Sequence, residues 1–170
     1  TQGHPAGNSL SKDIESYQEA FDLLFKCIVY TTSLVVPQMQ KNKWGRVINV
    51  TSVSVKEPLN YLVLSNSIRS AVVAWAKSLS VDIGKDGITI NSILTGYFDT
   101  ERIKKLNKEK SKSLNISEDE VLEKMKSLVP ANRLGKIDEY GYLVSFLSSD
   151  KAAYINGASI PIDGGLLKSY

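Results

Sequence analysis

Apolar residues recur at helical spacing in the first quarter of the chain. The repeat consists of Phe21, Leu24, Phe25, Ile28 and Val29. Since this spacing is that of one helical face, it predicts a long helix over residues 12–42, which Pro37 bends or restarts. The apolar stretch inside it is broken by Asp22, Lys26 and two threonines. We therefore interpret this segment as a core helix rather than a membrane span.

Three short runs rich in β-branched residues predict buried strands, because each is bounded by glycine or polar residues. They are GRVINVTS at 45–52, GITINSIL at 87–94 and ASIPID at 158–163. A second long helix is predicted between the first two strands, over residues 62–83, and it ends at Gly84.

The segment at 101–128 is charged and helical, and Ser117 with Glu120 forms a capping box that starts a helix there. Pro130 closes this segment, and a further apolar helix is predicted at 137–148. Helices that alternate with buried strands predict an α/β fold with a parallel sheet in a single domain over residues 1–170. Three strands are few for such a sheet, which suggests that the chain is incomplete.

Composition excludes several kinds of site. The net charge of +3 is too small to indicate nucleic-acid binding, and the single cysteine, Cys27, excludes a disulfide framework or a cysteine-based metal site. The single histidine, His4, excludes a Ser–His pair or a histidine-rich metal site. The polar N-terminal residues hold no apolar signal core. We predict a cytoplasmic protein that binds no metal, nucleic acid or membrane.

Four stretches in order carry a family resemblance, and the last of them is the most specific. They are TQGHPAG, GRVINVTSVSV, SNSIRSAVVAWAKSLSVDIGKDGITINSILTG and RLGKIDEYGYLVSFLSSDKAAYINGASIPIDGG. Together they resemble the short-chain dehydrogenase/reductase family, most closely its 3-oxoacyl-carrier-protein-reductase-like branch. The resemblance implies a Rossmann-like, doubly wound parallel sheet and an oxidoreductase that uses NAD or NADP.

The glycine-rich turn that holds the dinucleotide pyrophosphate in this family has no counterpart here, since the chain contains no G-x-x-x-G-x-G. Thr1-Gln2-Gly3 resembles the family's Asn-Ala-Gly motif, so Gly3 is a candidate cofactor residue. The resemblance therefore implies a partial fold that lacks the N-terminal dinucleotide-binding half, and a chain that binds no cofactor by itself is one expectation.

The family's Asn-Ser-Tyr-Lys tetrad can be carried over without gaps. The Ser position falls on Ser52, the Tyr position on Ser65, the Lys position on Arg69 and the Asn position on Leu24. Only the first is retained, and Tyr61 lies one helical turn too early, so it could reach the site only if the loop before the helix were rearranged. A proton for reduction would otherwise have to come from water or from a group of the substrate. Ser52, Ser65 and Arg69 are thus the candidate catalytic residues of a degenerate site.

Each of these residues also has a purely structural interpretation. Ser52 would bond backbone at the end of its strand, Ser65 would cap the helix, and Arg69 would lie at the surface or in an interface. As a proton donor, a serine hydroxyl is far weaker than a phenol, whose pKa is about 10. Arg69 keeps its charge and can still hold a ribose or phosphate, but as a planar fork.

Further cofactor residues are implied in the loop after the second predicted strand. Thr95-Gly96 replaces the family's Pro-Gly, and Thr100 matches the threonine of the P-G-x-x-x-T pattern. With Gly3 and Arg69, these are the candidate cofactor-binding residues. The alternative for Thr100 is an ordinary loop threonine.

The resemblance places a substrate lid at about 101–130, and its first part, ERIKKLNKEKSKS, carries six basic and two acidic residues. A basic lid would attract an acidic substrate such as an acyl carrier, whereas the structural alternative is a solvated helix face. Family members associate through helices 12–42 and 62–83, so a homo-oligomer is expected. The two functions considered are an NAD(P)-dependent oxidoreductase and a non-catalytic oligomerisation or binding module.

Overall fold

The three β-branched runs form a parallel sheet in the computed structural model, which describes residues 6–169. The strands are β1 (Gly45–Val50), β2 (Ile88–Thr95) and β3 (Ser159–Ile162), in the order β1-β2-β3. β2 pairs in parallel with both neighbours, and its residues are almost all buried. The predicted α/β class, the three strands and their parallel arrangement are confirmed.

The helices form two layers around this sheet. Their bounds are α1 Ile14–Phe21, α2 Cys27–Asn42, α3 Val63–Ile83, α4 Glu101–Leu114, α5 Glu118–Ser127 and α6 Ile137–Leu147. Successive strand residues point to opposite faces. Val47 and Ile90 therefore pack with α2 and α3 on one face, whereas Ile93 packs with Leu147 of α6 on the other.

The first helix is continuous but irregular at an unexpected place. A π-helical segment, Asp22–Lys26, joins α1 to α2, whereas Pro37 lies inside α2, which runs on to Asn42. The predicted restart at Pro37 is therefore wrong, because the loss of one backbone donor leaves the hydrogen bonds on either side intact. The irregular turn instead buries Leu24.

The combined helix, Ile14–Asn42, packs on the core through Val36 and Met39, but most of it is uncovered, since only 17% of its most apolar stretch is buried. Several of its apolar side chains are not covered by other parts of the described chain, and Tyr30 and Leu34 are exposed. By length and composition alone this helix is able to cross a membrane. The absence of membrane binding remains a prediction.

Local signals set the other helix ends. The predicted capping box of Ser117 and Glu120 starts α5 and is confirmed, and Asn115 ends α4 in the left-handed conformation, with φ of 52°. The predicted lid segment is thus two helices separated by a short turn.

One edge of the sheet is open. The Thr51 N–H donates to the Ile93 carbonyl at 2.9 Å. Since the backbone groups of alternate residues in a strand point to opposite sides, those of Arg46, Ile48 and Val50 point away from β2. Within residues 6–169, no strand pairs with β1 on that side.

Candidate active site

The candidate catalytic residues lie near the carboxyl ends of β1 and β2. Ser52 follows β1, Thr95 ends β2, and the first turns of α3 carry Ser65 and Arg69. Ligands of open α/β folds bind in the crevice outside the carboxyl ends of the strands. The candidate residues therefore lie at the end of the sheet where such folds bind their ligands, and their catalytic roles remain predictions.

Ser52 is half-buried and begins a short 3₁₀ turn, Val53–Val55. Its Oγ accepts a hydrogen bond from the Ser54 N–H at 3.1 Å. The backbone contact expected from the structural interpretation is therefore present. Because a hydroxyl both donates and accepts, its proton stays available for a carbonyl oxygen.

Ser65 and Arg69 bond to each other across one turn of α3. The Arg69 Nε donates to the Ser65 Oγ at 3.2 Å, and the Arg69 Nη1 donates to the Val50 carbonyl at 2.8 Å. The capping interpretation of Ser65 is wrong, because α3 is preceded by Leu62 at the N-cap position and its cap has no side-chain bond. Arg69 thus crosses from α3 to the outer edge of β1.

The electrostatic setting of Arg69 is unusual for a surface arginine. Burial lowers the pKa of its guanidinium, the positive charge of Arg102 lowers it further, and Tyr140 acts in the opposite direction. Arginine nevertheless remains protonated in proteins. A half-buried positive charge therefore lies at the end of β1, and it has a second arginine and a tyrosine within electrostatic range.

Tyr140 of α6 is a site residue that the sequence analysis missed. Its hydroxyl lies 3.1 Å from the Thr95 Oγ1. Burial raises the pKa of this phenol, while the bond to Thr95 and the charge of Arg69 partly offset the rise. The sequence shows a tyrosine among the apolar residues of the α6 segment. Because Thr95 lies 45 residues away, no local pattern predicts that the two are partners.

Gly96 and Thr100 have structural roles that the geometry makes plain. A Cβ built on Gly96 would lie 2.6 Å from the Asp163 Cα, so only glycine permits this approach of the chain after β3. Thr100 is the N-cap of α4, and its Oγ1 accepts from the Ile103 N–H at 3.4 Å. Their cofactor contacts stay predictions, and Gly3 lies outside the described residues.

The remaining tetrad position, Leu24, and the nearby Tyr61 differ in character. Leu24 is 1% exposed inside the π-helical segment and brings no polar atom to the site. Tyr61 precedes α3, and burial raises the pKa of its phenol. The pKa of Tyr97 is raised by burial and by its interaction with Tyr61. Both phenols therefore keep their protons at neutral pH.

A groove of about 650 Å³ lies between α6 and the end of β2. Its lining is Thr95, Phe98, Thr100, Ile137, Tyr140, Gly141, Val144, Ser145, Ser148 and Ser149. Among residues 6–169 no cluster of three or more His, Cys, Asp or Glu side chains is arranged to hold a metal ion.

The family model described as enoyl-(acyl carrier protein) reductase matches residues 3–167. The chain belongs to the short-chain dehydrogenase/reductase family. It is 31% identical to the NADPH-dependent reductase BacG of Bacillus subtilis (strain 168), over 77% of this chain and 51% of BacG. It is 32% identical to the 3-oxoacyl-[acyl-carrier-protein] reductase MabA of Mycobacterium bovis, over 75% of this chain and 47% of MabA.

Solved structures give the same fold. The NADPH-dependent reductase YwfH superposes with a TM-score of 0.94 at 25% identity, over all of this chain and 65% of YwfH. The L-sorbose reductase of Gluconobacter frateurii, crystallised with NADPH and L-sorbose, gives 0.92 at 26% identity, over 100% of this chain and 65% of that enzyme. The chain spans about half the length of the curated relatives it matches.

Proposed function

We propose that the chain is the substrate-side part of an NAD(P)-dependent oxidoreductase that acts on a carbonyl or alcohol, such as a 3-oxoacyl thioester. The observation that carries this is the half-buried Arg69, held by Ser65 and Val50 at the carboxyl end of β1. A fixed positive charge there suits the ribose or a phosphate of a dinucleotide. That BacG is an NADPH-dependent reductase supports the cofactor class.

The residues present fit only part of a dinucleotide. Arg69 supplies charge and the Ser52 hydroxyl supplies a donor, but no G-x-x-x-G-x-G turn occurs in the 170 residues to approach the pyrophosphate. The bound nicotinamide would supply hydride. The chain's part is to orient the carbonyl through the Ser52 hydroxyl and to deliver a proton.

Proton delivery is the step in which this chain would differ from a family member that has the tyrosine and lysine. Ser65 is too weakly acidic to replace a phenol, and its oxygen accepts from Arg69. Tyr61 is the phenol nearest along the chain, and its raised pKa keeps it protonated at neutral pH. We expect the proton to come from water, from a group of the substrate, or from Tyr61 after a rearrangement of the loop before α3, so the pH dependence of reduction differs from that of an enzyme with a lysine-tuned tyrosine.

The first test is a fluorescence titration of the purified chain with NADH and NADPH. Saturable binding that is weakened by Arg69→Ala, but not by the control Lys126→Ala on α5, supports the proposal. Lys126 is a suitable control because its ammonium pairs with the exposed carboxylate of Glu123 within α5. No binding up to millimolar cofactor contradicts a nucleotide site in the chain alone.

A non-catalytic oligomerisation module is the second candidate, and the uncovered helix favours it. Exposed apolar side chains line α1 and α2, among them Ile14, Tyr30, Leu34 and Val35. We propose that a second copy covers this face together with α3. Light scattering should then show an oligomer that Leu34→Lys dissociates, whereas turnover of any carbonyl with NADPH would contradict a purely non-catalytic role.

The excess of basic residues in α4, at the start of the predicted lid, bears on the charge of the substrate. In α4, Lys104 pairs with Glu101 at 2.8 Å, but basic residues outnumber acidic ones in this helix. We propose that the excess attracts an acidic carrier or substrate. We expect the KM for an acidic substrate to rise with ionic strength. The rise should be smaller in a Lys108→Gln variant.

A further inference from the structure

The first turns of α3 carry a stripe of side chains that the candidate active site does not use. The stripe consists of Val63, Asn66, Ser67 and Ser70. These positions are spaced i, i+3, i+4 and i+7, so they share one side of the helix. Ser65 and Arg69 lie about 130° away around the helix axis, since each residue of an α-helix turns by about 100°. The stripe therefore faces a different part of the surface from the candidate catalytic residues.

A cavity of about 340 Å³ lies between this stripe and the loop before α3. The rest of its lining is Ser9, Pro58, Leu59 and Asn60. Pockets that hold small ligands begin at about 300 Å³, so the space is sufficient for a compact molecule. Among the residues that the structure describes, no ionisable side chain lines this cavity.

Asn66 is the buried polar residue of the cavity, with only 9% of its surface exposed. Its Nδ2 donates to the Leu59 carbonyl at 2.8 Å, and its backbone carbonyl accepts from the Ser70 Oγ at 2.8 Å. The Asn66 Oδ1 has no hydrogen-bond partner within residues 6–169. Because a buried acceptor without a donor destabilises the fold, a molecule that donates to this oxygen would gain affinity from it.

The rest of the lining restricts the chemistry of such a molecule. The hydroxyls of Ser67 and Ser70 and the amide of Asn60 both donate and accept hydrogen bonds, whereas Pro58 and Val63 are apolar. An anion would be repelled by the unpaired acceptor, and an ammonium group would find no carboxylate. The lining thus suits a neutral molecule with several hydroxyl groups on a short carbon skeleton.

We propose that this cavity binds a small neutral polyhydroxyl compound, such as a monosaccharide or a sugar alcohol, and that one of its hydroxyls donates to the Asn66 Oδ1. The site is separate from Ser52, Ser65 and Arg69, and it needs no cofactor. Since the loop that contains Pro58 and Asn60 continues to Tyr61, an occupied cavity would restrain that loop. This last consequence rests on the proposed function, whereas the binding itself does not.

The test is a titration of the isotope-labelled chain with sorbitol, followed by two-dimensional amide NMR without cofactor. We expect saturable shifts of the Asn66 side-chain amide and of the backbone amides of Asn60 and Ser67, while amides of α4 and α5 stay unchanged. Gluconate has the same length and nearly the same hydroxyls, but it carries a negative charge. It should bind at least about tenfold more weakly.

A matched pair of variants tests the position of the site. Ser70→Leu fills the cavity and should weaken sorbitol binding about tenfold or more. Ser78→Leu adds the same side chain farther along α3 and removes the same kind of bond, from the Ser78 Oγ to the Ala74 carbonyl at 3.2 Å. This control should bind like the parent.

A third variant, Asn66→Leu, removes the acceptor at nearly constant volume and should abolish binding. Thermal unfolding verifies that each variant is folded, and the exposed position of Ser70 keeps the test valid if Asn66→Leu is not.

Four results would overturn the proposal. They are an absence of saturable shifts, equal binding by Ser70→Leu and Ser78→Leu, equal binding of gluconate and sorbitol, and shifts of the same amides that depend on chain concentration without any added compound. The last would assign the cavity to a second copy of this chain. Failure of NADH or NADPH to bind would contradict the proposed function and leave the sorbitol result unaffected.

Discussion

The contacts between β2 and the segment before β3, and the candidate active site, use buried polar groups in opposite ways. Asn91 of β2 donates to the Ile155 carbonyl at 2.8 Å and accepts from the Ala158 N–H at 3.0 Å, while Asn156 joins Ile90 to Ser80. Around the site, buried atoms of Asn49, Ser54 and Asn66 have no hydrogen-bond partner among the described residues.

This difference separates buried polar groups that stabilise the fold from those that do not. A satisfied buried amide fixes the path of two chain segments, whereas a buried polar atom without a partner lowers the free energy of unfolding. Substitutions at the two kinds of position should therefore change stability in different directions.

Asn91→Ala should produce the largest loss. It leaves the partly buried Ile155 carbonyl and Ala158 N–H without their partner, which should lower the free energy of unfolding by about 3 kcal/mol. Urea denaturation followed by circular dichroism measures this. The exposed Asn60→Ala serves as the control and should change little. A loss below 1 kcal/mol, on the order of one exposed hydrogen bond, would contradict the structural role.

Gly96→Ala should come next. The added Cβ would lie 2.6 Å from the Asp163 Cα, so the ends of β2 and β3 must separate. We expect a loss of about 2 kcal/mol in the free energy of unfolding. Gly141→Ala, at an open helical position, should instead stabilise the chain by up to about 1 kcal/mol. If the two variants have equal stability, the close approach at Gly96 is not present in solution.

Ser54→Ala tests the buried polar atoms around the candidate site. The Ser54 side chain is fully buried and its Oγ has no hydrogen-bond partner among the described residues. Its removal should leave the free energy of unfolding unchanged or raise it by about 1 kcal/mol. A loss as large as that of Asn91→Ala would show that the hydroxyl is satisfied in solution, and the contrast between the two regions would fail there.

The smallest effect concerns pH. Arg133 and the Lys136 N–H hold the pKa of Glu139 at about 2, below its usual value of 4.5. The stabilisation is therefore complete above about pH 4.5 and is lost as the pH falls towards 2. Glu139→Gln should flatten the dependence of Tm on pH in this window, whereas Glu118→Gln should not. A parallel shift in both variants would contradict the pairing.

Sequence predicted the fold well because its signals are local. β-branched runs bounded by glycine gave β1 and β2, and Ser117 with Glu120 gave the start of α5. Ser52 directly follows β1 and Arg69 lies in the first turns of α3, and the structure brings both to the carboxyl end of β1.

The side-chain partners inside the site were beyond local patterns. No local sequence pattern predicts that Thr95 contacts Tyr140. None in α3 predicts that Arg69 donates to the carbonyl of Val50. The π-helical turn at Asp22–Lys26 was likewise missed, because it depends on the packing of Leu24 rather than on a helix-breaking residue.

Trp44 gives the open edge an optical signal of its own. The chain has two tryptophans; Trp44 lies half-exposed beside β1 and next to a guanidinium, whereas Trp75 packs in the core on the opposite face. Their emission therefore reports on opposite sides of the sheet. Iodide should quench Trp44 far more than Trp75, and a Trp75→Phe variant leaves a single fluorophore whose wavelength and accessibility record directly whether the open edge of β1 is covered.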